Sequence, residues 1–175
     1  MLIGKLFKTK RKEFEKHFFS GLSFDSNLCK KNCIFFAVKG INNDGHNYIS
    51  KAIQNGARTI VHQKSFEGFK NKVLFLSFKN TRKILAESSY KFFNKKPDNI
   101  IAVTGTNGKS SVSDFYYQIL NNNNVKVASM GTLGIKFSNK TIKANNTTLD
   151  PINLAKNLSL LKKKKINNVI LEASS

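Results

Sequence analysis

The sequence predicts an α/β protein built on parallel sheet, and three observations predict it. Short apolar runs alternate with segments at helical spacing, a glycine-punctuated loop sits between one such run and one such segment, and a Pro-containing break divides the pattern into two blocks. Strands joined by helices lie parallel, because only a long crossover returns the chain to the same edge of the sheet.

In the first block, residues 22–24 and 34–38 read as strands. Residues 48–54 carry Ile49, Ala52 and Ile53 at helical spacing and stop before Gly56, a residue suited to a helix C-cap. Residues 58–62 and 73–78 read as further strands, and 81–93 as a helix with Ile84, Leu85, Tyr90 and Phe92 apolar. Lys95-Lys96-Pro97-Asp98 ends the block, since the residue before a proline is biased away from helix. This divides the chain into a small domain at 1–97 and a second at 98–175. The second block opens with a compact apolar run at 99–103, suited to a buried parallel strand, and a helix at 110–120 with Val112, Phe115, Tyr116 and Ile119 in phase. A strand at 125–129, a hairpin around 131–143, a helix at 152–161 and a strand at 168–171 follow. A sheet with so few strands, ending on one that looks central, leaves an apolar face and an edge uncovered.

Composition narrows the function classes. With 40% hydrophobic residues the 175-residue chain can bury a core, which excludes a disordered tail. No apolar run approaches the ~20 residues of a membrane span, so no membrane insertion is expected. Residues 1–12 are basic but lack the apolar stretch of a secretory signal, so the expected compartment is the cytoplasm. Cys29 and Cys33 form one C-x3-C pair with no neighbouring His, and read as reduced thiols. The net charge of +20 suggests nucleic acid, yet only Arg11, Arg58 and Arg82 are arginine, the residue that reads base edges and grips phosphate bidentately. Lys and Asn instead form a background over the whole chain, and the run 162–165 suits a helix C-terminus.

The chemistry concentrates in Val103-Thr104-Gly105-Thr106-Asn107-Gly108-Lys109-Ser110-Ser111. A strict G-x4-G-K-[ST] phosphate loop has Gly where this chain has Val103, so the segment is a variant built on Gly105 and Gly108. Its glycines admit a close backbone approach to phosphate, the following helix offers free N–H groups, Lys109 faces the β- and γ-phosphates, and the Ser110 hydroxyl suits Mg2+. Glu172, at the end of an apolar strand in the same sheet, is placed to share that cation.

Taken together, these residues resemble a family. Thr104–Ser111, TGTNGKSS, is similar to the ATP loop of the Mur ligases and of the related folylpolyglutamate synthases. Met130-Gly131-Thr132-Leu133-Gly134, Asn146-Thr147-Thr148-Leu149-Asp150-Pro151 and Glu172-Ala173-Ser174-Ser175 resemble segments of the UDP-N-acetylmuramoyl-tripeptide synthetase (MurE-type) branch. Upstream, residues 24–27, 34–40 and Asp44-Gly45-His46 are similar to that branch's N-terminal domain. The resemblance implies a UDP-sugar-binding domain followed by the start of an ATP-binding domain. It implies a cytoplasmic ATP- and Mg2+-dependent ligase of peptidoglycan synthesis that phosphorylates the carboxylate of UDP-N-acetylmuramoyl-L-alanyl-D-glutamate and lets an amino acid attack the acyl phosphate. By position, Gly105, Thr106, Asn107, Gly108, Lys109, Ser110 and Ser111 hold ATP, Ser110 and Glu172 the metal, and Lys109 is the catalytic cation. Phe24 and Ser26, with 41–43 beside them, meet the UDP part, while Asn146, Thr147, Thr148 and Ser174 meet the muramoyl-peptide. Asn27 stands where the family has an Arg, and Ser110-Ser111 where Thr-Thr is common. The rest of the central domain and a C-terminal domain that binds the incoming amino acid are absent, so the expectation is a partial ligase, inactive as this chain, from an enzyme that is a monomer at full length. Another Mur ligase, a folylpolyglutamate synthase relative, or a basic nucleic-acid-binding module are the alternatives.

Overall fold

The computed structural model describes residues 1–41, 43–132, 134–138, 140–142 and 149–173. They form two compact units, Met1–Phe92 and Phe93–Ser175, each carrying a five-stranded sheet. The division falls just ahead of the Lys95–Asp98 break.

In the first unit a short helix α1 (Lys12–Glu15) precedes β1 (Gly21–Ser23), β2 (Cys33–Phe36), α2 (Ile49–Gln54), β3 (Ala57–His62), β4 (Gly68–Lys70), β5 (Val73–Ser77) and α3 (Thr81–Phe93). The strand order is β1-β2-β3-β5-β4, parallel except for β4, which runs antiparallel to β5. Every side chain of β2 is buried, and so is every side chain of β3 but Arg58. That is the reason these strands read as unbroken apolar runs: a parallel strand covered on both faces has no polar side to alternate with. Phe35, Ile60, Ala52 and both cysteines, which are free thiols, share one core cluster. Gly56 follows α2 with φ +110, and a Cβ there would stand 2.8 Å from the Lys31 backbone nitrogen, so glycine is needed both for conformation and for space.

The second unit runs β6 (Asn99–Val103), α4 (Lys109–Asn122), β7 (Val127–Gly131), β8 (Gly134–Phe137), β9 (Lys140–Ile142), α5 (Pro151–Lys163) and β10 (Asn168–Glu172). Its order is β6-β10-β7-β8-β9, with β6, β10 and β7 parallel and the expected hairpin added antiparallel to β7. Asp150 caps α5, accepting from the N–H groups of Ile152 and Asn153 at 3.0 Å each, with Pro151 in the first turn. Lys162 and Lys163 end that helix, on the side its dipole favours.

One expectation about this unit is corrected. Residues 99–103 do not form a buried strand: β6 is the sheet edge, with β10 alone beside it, and Ile100 and Ile101 are 37% and 41% exposed. The in-phase stripe Val112, Phe115 and Ile119 of α4 is 50 to 63% exposed, and the helix buries Ser113 and Tyr117 instead. Apolar spacing names a stripe that can be buried, but a neighbouring layer must be present to cover it. In the described residues no helix is long and apolar enough to cross a membrane.

Candidate functional site

The glycine-rich loop joins the carboxyl end of β6 to the amino end of α4. Gly108 is the N-cap of α4 in a left-handed conformation, φ +79, and a Cβ there would meet nothing within 4 Å, so the demand for glycine is purely conformational. The first turn of α4 holds no acid of its own, so its positive end is open to an anion supplied from elsewhere. Lys109 folds back over the loop and donates from Nζ to the carbonyl oxygens of Gly105 and, at 3.2 Å, Thr106. Its ammonium therefore stands over the loop that would surround a phosphate.

Register brings an acid to the same place. Glu172 is the last residue of β10 and pairs directly with Val103, the residue that enters the loop, while the Ala173 N–H donates to the Val103 carbonyl at 2.9 Å. The Ser110 hydroxyl donates to Glu172 Oε2 at 3.0 Å, so two residues 62 positions apart meet at the loop mouth. Oε2 also accepts from the Thr132 hydroxyl at 3.0 Å and from the Thr132 N–H at 3.4 Å. A serine hydroxyl and a carboxylate are hard oxygen donors, and Mg2+ is usually held by one or two such groups together with phosphate oxygens and water. These residues fit Mg2+ beside a nucleotide triphosphate. Among the described residues no cluster of three or more His, Cys, Asp or Glu forms an all-protein metal cage.

In the first unit, the loop after β2 is tied at its base. Gly45 N–H donates to the Val38 carbonyl at 3.0 Å, and Gly40 N–H to that of Asn43 at 2.8 Å. Asp44 Oδ1 accepts the His46 N–H and lies 2.6 Å from His46 Nδ1, which lowers the Asp44 carboxyl below its ordinary value. The Gln63 N–H donates to His46 Nε2 at 3.1 Å, so Nδ1 carries the proton shared with Asp44. A cavity of about 500 Å³ opens beside this loop, lined by Lys39, Ile41, Gln63, Lys79 and Arg82 among others. Among the described residues none of its three cations has an ion-pair partner, and Arg82 lies in the first turn of α3, where the helix dipole disfavours a cation. An anion in the cavity would relieve that conflict.

The expected site residues are distributed unevenly. The loop residues Gly105 to Ser111 and Glu172 are brought together. Phe24 is 41% exposed just beyond β1, but Ser26 is 4% exposed, and neither lines the cavity. Asn146, Thr147, Thr148 and Ser174 lie outside the described residues, as does Asn42 of the 41–43 segment. Sequence reasoning missed Lys39, Lys79 and Arg82, and it quoted Thr132 without a role.

Residues 19–93 match the family described as "Mur ligase family, catalytic domain", and 103–175 match "Mur ligase middle domain". The chain belongs to the Mur ligase family. It is 36% identical over 159 residues to a UDP-N-acetylmuramoyl-L-alanyl-D-glutamate--2,6-diaminopimelate ligase of Fusobacterium nucleatum, covering 90% of this chain and 32% of that protein. The Rickettsia conorii ligase of the same name is 36% identical over 166 residues, covering 93% and 34%. The chain thus spans about a third of the length of these relatives. A solved structure bearing that name superposes with a TM-score of 0.80 at 24% identity, over 99% of this chain and 36% of the other, which shows the fold. A MurF ligase from Thermotoga maritima, solved in complex with ADP, gives 0.58 at 20% identity over 87% and 31%.

Proposed function

We propose that this chain carries the UDP-sugar-binding domain, 1–97, and the first part of the ATP-binding domain, 98–175, of a cytoplasmic ligase of peptidoglycan synthesis. The reaction joins an amino acid, diaminopimelate by the names of the relatives, to UDP-N-acetylmuramoyl-L-alanyl-D-glutamate at the expense of ATP. The observation that carries this reading is the meeting of Ser110 and Glu172 at the mouth of the Gly105–Ser111 loop.

The residues divide the work by charge. Gly105 to Ser111 surround the phosphates with backbone N–H groups, and Lys109 neutralises charge on the β- and γ-oxygens as the terminal phosphoryl leaves for the substrate carboxylate. Mg2+, held by Ser110 and Glu172, would screen the phosphates from the incoming carboxylate. The resulting acyl phosphate is the electrophile for the amine, so this half of the enzyme supplies activation through position and field, without a covalent bond to the protein. In the first unit, the cavity with Lys39, Lys79 and Arg82 beside Ile41 suits the diphosphate of the UDP-sugar; Phe24 and Ser26, which lie outside that cavity, are assigned to the UDP part by the family resemblance alone. Asn146, Thr147, Thr148 and Ser174 are assigned to the muramoyl-peptide.

Calorimetry with ATP and Mg2+ tests the reading. Lys109→Ala removes a charge-assisted contact of about 1.5–3 kcal/mol, so nucleotide affinity should fall roughly 10- to 100-fold. Equal affinity in the variant would remove Lys109 and the loop from the proposed site.

A further inference from the structure

Among the described residues Glu172 is the one carboxylate that is buried, at 8% exposure, and its surroundings are unusual for this chain. The sequence holds 30 Lys and Arg, yet among the described residues none forms an ion pair with Glu172. Its carboxylate is held by neutral donors instead: the Ser110 hydroxyl, the Thr132 hydroxyl and the Thr132 N–H, all on Oε2. Neutral donors replace the lost water and fix the group in space without cancelling its charge, whereas a lysine would do both. The turn between β7 and β8 is also shaped for this carboxylate. A Cβ on Gly131 would stand 2.2 Å from Glu172 Cδ and 2.3 Å from Oε1, so any side chain at 131 would displace the acid.

We propose that Thr132 is a positioning residue for the metal site, with Gly131 providing the space that its action requires. By holding Oε2 against Ser110 while leaving the negative charge intact, Thr132 presents a preset carboxylate to the divalent cation that accompanies the triphosphate. Serine and carboxylate belong to the loop and to β10, and Thr132 comes from a third segment, so the turn locks two otherwise independent donors into one geometry. Groups that orient a metal ligand in this way typically carry 10- to 100-fold in metal affinity. The inference rests on the reading that the loop binds ATP with Mg2+.

The test compares Thr132→Val, which keeps the β-branched shape and removes the hydroxyl, with Thr132→Ser, which keeps the hydroxyl. ADP affinity of the 175-residue chain is measured by calorimetry in EDTA and in Mg2+, alongside thermal unfolding. The expected result is that Thr132→Val loses about tenfold of the Mg2+-dependent gain in affinity, keeps its affinity in EDTA, and is rescued by serine. Gly131→Ala, which removes no donor, should reproduce the loss. An equal loss in EDTA and Mg2+, tracking a lower melting temperature and not rescued by serine, would reduce Thr132 to a structural tie and overturn the proposal. An unchanged Mg2+ dependence in Thr132→Val, while Lys109→Ala weakens binding as expected, would overturn it and leave the ATP reading standing. A wild-type chain that binds ADP in neither condition would overturn both.

Discussion

The strands β3 and β6 are both parallel, both rich in apolar residues and both lead towards a candidate binding loop, yet one is enclosed and the other bare. β3 has β2 on one side and β5 on the other, and only Arg58 among its residues is exposed. β6 has β10 on one side alone, and four of its five residues are exposed. Apolar composition sets what a strand gains from burial, while the number of neighbours decides whether that gain is realised. The first unit spends its apolar residues on its own core. The second keeps a bare strand, and the exposed stripe of α4, next to its most chemically specific loop.

Mutations can break or sharpen that contrast. The largest effect is expected at Phe35, fully buried in the core cluster it shares with Ala52 and Ile60: Phe35→Ala should destabilise the first unit by about 3–5 kcal/mol. Ile101→Ala in β6 should cost under about 1 kcal/mol, because the side chain is already 41% exposed. Denaturant unfolding followed by hydrogen exchange in each unit would measure both, and similar costs would end the distinction. Next in size, Asp150→Ala should remove about 1 kcal/mol from the second unit by uncapping α5, read in the same experiment.

Acid should separate the units by a smaller margin. Burial holds the His62 and His17 imidazoles below the ordinary 6.5. Below that value the unfolded chain takes up protons that the native unit resists, so the first unit loses stability as pH falls through 6.5 towards the folded values. In the second unit the hydrogen bond from Lys136, then that from Gln118, lowers the Asp114 carboxyl, so its contribution persists until pH falls below 3.8. Exchange rates corrected for their intrinsic pH dependence should therefore rise in residues 1–92 between about pH 7 and 5.5 while 93–175 stay protected. The smallest effect is expected for Ile101→Lys, within about 0.5 kcal/mol in stability. Its readout is sedimentation: a charge on the bare edge should reduce any self-association through β6.

Much of this molecule was legible in its residues, for identifiable reasons. The spans of α3 and β6 follow directly from spacing and from the Pro97 break, and the α5 cap from Asp150-Pro151, since each rests on interactions within a few residues. β4 was missed because Gly68–Lys70 is too short to alternate and Phe69 is 53% exposed. The exposure of β6 depends on its sheet neighbours, which no local pattern encodes. At the site, the glycines and Lys109 are visible because loop chemistry is local, and Glu172 was found through its strand. Thr132 has no such signature. A hydroxyl residue directly after a glycine at the end of a parallel strand was the only available cue, and its meaning came from the β10 register.

That register also sets a timetable. β6 leaves the ribosome early in the second unit, but its pairing partner is β10, which supplies Glu172 as well, and the Ser110–Glu172 contact closes a separation of 62 residues. Long-range closures of this kind are slow, and they cannot begin before both ends exist. The phosphate loop is therefore synthesised before its acid, and during that interval β6 has no strand beside it while the apolar stripe of α4 stands open, surfaces of the kind that favour misfolding.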